Sequence, residues 1–243
     1  MTSTSLTFVE AIDFGMQMSL APSIRSHTSF ETARKWVNQC LGHHELCRRK
    51  NHKGNIPKRL MCVEQDRGTM ELSAHISYGG SLPADTQYLS VSHCWGLEKF
   101  VTTTRERLPF FEKSIPIDKL PSTFQDALVA TIELGYHYVW IDSLCIVQDD
   151  LEDWLTEASK MADVYRHAVC NLSIAGFSNG IQGFLLKRRH NNPTLPIVNL
   201  ELDHLEHGSN GLYVIAEESA AEDVVHQPLF SRAWVRMNSV DSY

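Results

Sequence analysis

Between Leu120 and Gly176 the spacing of apolar positions switches three times, and the switches mark a helix, a strand, a second helix and a second strand. Phe124, Ala127, Leu128, Thr131 and Leu134 recur at helical spacing and predict one apolar stripe behind the opening Leu120-Pro121-Ser122. Ser122 is the expected cap, with Gln125 three residues on to reach back to it. Gly135 suits the left-handed position that ends such a helix. Tyr138-Val-Trp-Ile141 is too short and too aromatic for another helix and predicts a buried strand. Asp149, Asp150, Glu152 and Asp153 then crowd the first turn of the next helix, where exposed N–H dipoles favour negative charge. Trp154, Ala158, Met161 and Tyr165 follow at i, i+4, i+7 and i+11 and predict its core face. Val169 to Ala175 closes the block as a strand ended by Gly176.

Outside this block the pattern is sparser. Gln87 to Cys94 predicts a strand ended by Trp95-Gly96, and residues 97–119 a loop or short helix. Arg59 to Val63 and Thr69 to His75 are candidate strands in an otherwise polar stretch, as are Leu195 to Leu200 and Gly211 to Ala216 further on. A helix is expected from a cap at Ser29 to about Leu46, with Ala33, Trp36, Val37, Cys40, His44 and Cys47 on one side. Strands alternating with helices of this length imply parallel strands joined by helical crossovers, an α/β fold. The chain divides into a flexible N-terminus (1–27), a lead-in with one helix (28–84) and a main α/β domain (85–243).

Composition narrows the class. The 243 residues are 43% hydrophobic and 21% charged, ordinary for a globular protein. A net charge of −7 argues against a general nucleic-acid surface. The short basic runs at Arg48-Arg-Lys50 and Lys187-Arg-Arg189 read as solvated turns. No apolar run approaches the ~20 residues of a membrane span, and no basic segment precedes an apolar core at the N-terminus. The six cysteines follow no dense secreted framework, so reduced thiols in the cytoplasm are expected.

The reactive groups gather at predicted strand ends. Ser92, His93, Trp95 and Gly96 follow one strand; Asp142, Ser143, Cys145 and Gln148 follow another. In open α/β sheets the C-terminal strand ends hold the ligand, so these residues are expected to line one cleft, completed by Arg232 and Trp234. A Cys145–His93 nucleophile pair is conceivable, but Leu144 and Ile146 signal burial and no glycines flank Cys145 to form an oxyanion hole. Cys40-x3-His44-x2-Cys47 has zinc-ligand chemistry. Three ligands on one helix do not close a structural site, and the fourth would come from Cys62 or His52. The preferred reading is therefore no metal, with this helix face packed on the core.

Three ordered blocks carry a resemblance to a known family. Tyr88-Leu-Ser-Val-Ser-His-Cys-Trp-Gly96, then Leu134-Gly through Trp140-Ile-Asp-Ser-Leu-Cys-Ile-Val-Gln-Asp149 with its flanking Leu-Pro-Ser and Asp-Trp, then Phe230-Ser-Arg-Ala-Trp234 resemble the fungal heterokaryon incompatibility (HET) domain. The segment Trp36 to Cys47 is similar to one that often precedes it. The resemblance implies a self/non-self recognition module whose activation leads to programmed cell death. It would act by association with other incompatibility or signalling proteins, itself included, with Asp142 and the Trp95 loop shaping the cleft; no nucleic acid or membrane is involved. The HET family is distantly similar to the TIR fold, which implies a parallel, flavodoxin-like sheet. By the same analogy NAD is a possible substrate or ligand, cleaved with the help of a glutamate four residues after a tryptophan. Here that position, after Trp234, is Asn238, which cannot supply negative charge, so NAD cleavage is expected to be disabled. The pattern departs after Trp234 and the chain stops at Tyr243, as a truncated form would; a degenerate fragment without function is the plainest alternative.

Overall fold

Five strands form the sheet that positions the candidate site. The computed structural model describes residues 6–10, 23–45, 47, 56–174, 182–186, 197–200 and 211–217. In chain order its elements are β1 (Leu6–Glu10), α1 (His27–His43), β2 (Arg59–Gln65), β3 (Leu72–Tyr78), β4 (Leu89–Ser92), α2 (Leu108–Phe111), α3 (Ser122–Glu133), β5 (Tyr138–Trp140), α4 (Asp142–Cys145), α5 (Leu151–Ser159), α6 (Met161–His167), β6 (Asn171–Ser173), β7 (Ile197–Leu200) and β8 (Gly211–Glu217). The main sheet has the order β3-β2-β5-β4-β6. A second sheet, β1-β8-β7, is antiparallel throughout, and its β1 lies within a stretch whose sequence lacks periodicity. No helix among the described residues is long and apolar enough to cross a membrane.

The α/β expectation holds, but the sheet is mixed rather than wholly parallel. β4 runs parallel to β5 (Leu89 opposite Val139) and to β6 (Val91 opposite Leu172). β2 is antiparallel to both β5 and β3. The reason is local: only a few residues join β2 to β3, too few for the crossover that a parallel pair requires. Asp66 makes that turn, its Oδ1 accepting from the N–H groups of Gly68 (2.8 Å) and Thr69 (2.7 Å). The turn takes in Thr69, so the second strand begins later than its sequence pattern predicts.

β4 leads through α3 to β5 on one side, and β5 leads back through α5 and α6 to β6 on the other. Right-handed crossovers in opposite directions put their helices on opposite faces. Trp140 meets Tyr165 of α6 edge to face at 5.6 Å. Val139 and Ile141 alternate to the other face, where α3 packs on β2 and β5. Every residue of β4 is buried, as the centre of such a sheet requires.

Helix ends follow the predictions in part. Gly135 takes φ +90, and the bonds Gly135 N–H to Ile132 O (2.9 Å) and Tyr136 N–H to Thr131 O (3.0 Å) make a Schellman close to α3. At its start the expected capping box is absent. Pro121 occupies the cap position, and Gln125 donates to the Leu120 carbonyl instead, at 2.8 Å. α1 is capped by Ser26, which accepts from the Ser29 N–H, rather than by Ser29. Its predicted core stripe is also not in the core: Phe30 packs with Ala130 and Leu185, but Trp36 is 60% exposed. The single helix expected after Asp149 is two, broken at Lys160. Its buried face is acidic, with Asp153 and Glu157 inside and Trp154 45% exposed.

Candidate functional site

β4 and β5 are parallel neighbours, so the segments leaving their C-terminal ends meet at one edge of the sheet. Past Ser92 the chain runs through His93 and Trp95 and turns at Gly96, whose φ of 69 is the left-handed conformation that glycine accepts most easily. Past Ile141 it coils at once into the single turn α4. The two segments are tied by Asp142. Its Oδ2 accepts from Trp95 Nε1 at 3.0 Å, its Oδ1 accepts from the Ser143 N–H at 2.7 Å, and His93 Nδ1 lies 4.0 Å from Oδ1. Buried carboxylates need such donors, because desolvation penalises unpaired charge. The His93 ring is stacked near-parallel to Trp95 (6.4 Å) and meets Phe124 edge-on (4.9 Å), while Phe100 packs against both Trp95 and Phe124 at 5.5 Å. Asp142 thus bonds to the edge of a four-ring cluster through Trp95.

A second set of bonds locks the surrounding loops. Thr103 donates its N–H to Ser143 O (3.0 Å) and its hydroxyl to Leu144 O (2.6 Å), and accepts from the Gln148 N–H (2.8 Å). Gln148 Nε2 donates to the carbonyls of Asp142 (3.2 Å) and Ile146 (3.1 Å). Asp149 accepts from the Arg105 N–H at 2.8 Å, and Asp150 both caps α5 and pairs with Arg105 at 3.1 Å. Asp153 accepts from the Val147 N–H (2.9 Å), from Lys58 (2.7 Å) and from Arg59, whose Nε also donates to Cys145 O at 2.7 Å. The acidic run after β5 therefore holds loop and sheet together while also serving the helix dipole.

The structure brings together Trp95, Asp142, Ser143 and Gln148 from the predicted set. Ser92 is close in sequence but points elsewhere, hydrogen-bonding Asn171 of β6 at 2.9 Å. Ser143 and Cys145 are closed to solvent, and among the described residues Ser143 Oγ has no hydrogen-bond partner. Gly96 is exposed. Arg232, Trp234 and Asn238 lie outside the described residues. Burial pushes the Cys145 thiol up to about 12, so it is not a nucleophile at neutral pH. Mass-spectrometric mapping of iodoacetamide labelling should find Cys145 unmodified in the folded chain and modified once urea unfolds it; rapid native labelling would contradict this burial.

Three contributors escaped the sequence reading. Arg59 had a signal, a charged residue opening an apolar strand that must find a counter-charge if buried. Phe100 and Thr103 had none, sitting in a stretch without periodicity. Beside Phe100, the cations Lys99, Arg107 and Lys119 border a shallow hollow of about 380 Å³.

Compared with known families, residues 88–236 match the family described as Heterokaryon incompatibility protein (HET), more than half of the chain. The chain belongs to the HET family. Comparison with curated proteins and with solved structures found no match. The HET match begins at Tyr88, one residue before β4, and takes in both strand ends that Asp142 joins. It leaves out the β2–β3 hairpin. Lys58 and Arg59, which neutralise Asp153 of the HET region, thus come from outside the matched residues.

Proposed function

We propose that this HET chain is a self/non-self recognition module of the fungal cytoplasm, whose activation leads to incompatibility and programmed cell death. It works by association with other incompatibility or signalling proteins, itself included. The observation that carries the reading is the family match across residues 88–236. Association is favoured over turnover because the Asp142 carboxylate is already engaged by Trp95 and Ser143, and the Cys145 thiol is buried.

A second reading, a TIR-like protein that handles NAD, has two observations in its favour. β5, β4 and β6 are parallel with crossover helices between them, and the hollow beside Phe100 is bordered by three cations, the charge a diphosphate needs. Lys119 is also paired with Asp118 at 3.3 Å. With the neutral Asn238 in place of the glutamate, NAD would be bound without being cleaved.

Inducible expression of the full chain in a filamentous fungus separates association from NAD cleavage. The expected result is arrested growth and dye-positive, dying cells at unchanged NAD content. A chain that accumulates to a level visible by immunoblot without harming growth would overturn the first reading. A fall in cellular NAD would replace association with cleavage.

A further inference from the structure

The end of α1 holds a cluster of metal-ligating groups outside the site just described. Cys40, His44 and Cys47 each offer one ligand atom, and these atoms lie within 4.8 Å of one another. In a continuous helix, residues seven apart are separated by about 10 Å along the axis. Here the helix stops at His44, which takes an extended backbone, and the chain folds back until Cys47 Sγ is 3.2 Å from Cys40 Sγ. Cys40 and Cys47 are half-buried at that return, while His44 is exposed. The sulfur separation is far longer than a disulfide bond of about 2.05 Å. Two thiolates on a tetrahedral zinc, at about 2.3 Å each, sit ~3.8 Å apart, so the sulfurs need part by only about 0.6 Å to take an ion.

Among the described residues the cluster consists of Cys40, His44 and Cys47 alone. Three donors leave the fourth position of a tetrahedral ion to water or to a group outside the described residues. Of the fourth ligands that the sequence suggests, Cys62 is committed to β2 beside Tyr138, and His52 lies outside the described residues.

We propose that Cys40, His44 and Cys47 bind one zinc ion, which pins the chain where it turns at the end of α1. Thiolate and imidazole donors select zinc over magnesium or calcium. Binding displaces the two thiol protons to solvent and involves no oxidation.

The test begins with metal analysis of the purified full chain. One zinc per chain is expected, and a strong chelator should remove it and lower the melting temperature, with added zinc restoring both. Replacing zinc by Co²⁺ should give tetrahedral visible bands and thiolate-to-metal charge transfer. Cys145→Ser and Cys170→Ser should both leave that charge transfer unchanged. His44→Ala and Cys40→Ser should lose stoichiometric metal. Absence of zinc together with a silent Co²⁺ titration overturns the site. So does a Cys40–Cys47 disulfide in chain isolated with its thiols blocked.

Discussion

Asp153→Ala is expected to lower the stability of the chain by about 3–5 kcal/mol, the range for breaking a buried ion pair from one side. Its side chain is 6% exposed and that of Arg59 is 2% exposed. Removing the carboxylate would leave the guanidinium buried against the Cys145 carbonyl without a counter-charge. Urea unfolding measures the loss. Arg59→Met/Asp153→Leu together should recover most of it, because the penalty belongs to the orphaned charge rather than to the missing attraction. A single variant within about 1 kcal/mol of the parent would place the pair among weak surface bridges instead.

The same carboxylate sets an acid limit. Burial alone would raise its pKa, but hydrogen bonds from Lys58, Arg59 and the Val147 N–H outweigh that and hold it below the usual carboxylate range. A depressed folded-state value contributes stability that is complete above the unfolded value of about 4 and is lost as pH falls from there through the folded value. Asp153→Ala should therefore flatten the acid side of the stability profile below about pH 4.

Asp142→Asn is expected to uncouple the two strand ends although it changes the side chain's size very little. An aspartate accepts at both oxygens; an asparagine must turn its NH₂ toward either the Trp95 indole or the Ser143 N–H, setting donor against donor. The loss should be about 1–3 kcal/mol, the range for hydrogen bonds to a charged group and for a buried donor left unmet. Trp95→Phe removes only the indole donor. A double-mutant cycle between the two should give a coupling of about 0.5–3 kcal/mol, as for directly bonded neighbours. If the Trp95 loop is the surface through which the HET chain associates, both variants should also relieve growth arrest. Additive energies in the cycle would show that this bond does not hold the strand ends together.

The parallel half of the sheet was legible because short apolar runs separated by helix-period stretches leave few other topologies. Gly135 was legible for a local reason, the backbone conformation that ends α3. What escaped was set by partners far away in the chain. Met161 and Tyr165 of the predicted stripe do pack on the core, yet α5 turns Asp153 inward because Arg59, 94 residues earlier, is buried opposite it. The strand end at Asp142 followed from a general rule of α/β sheets, but the rule does not say that an indole 47 residues away already occupies the carboxylate.

The central position of β4 has a consequence for synthesis. Its four buried residues leave the ribosome well before the strands on either side of them, and 79 residues separate Ser92 from its partner Asn171. At ~5–20 residues per second that interval is about 4–16 s, during which the β6-facing side of β4 stays unpaired. The nascent chain thus carries an adhesive, unpaired strand edge for seconds, and a chaperone that shields short apolar runs would find its first target there.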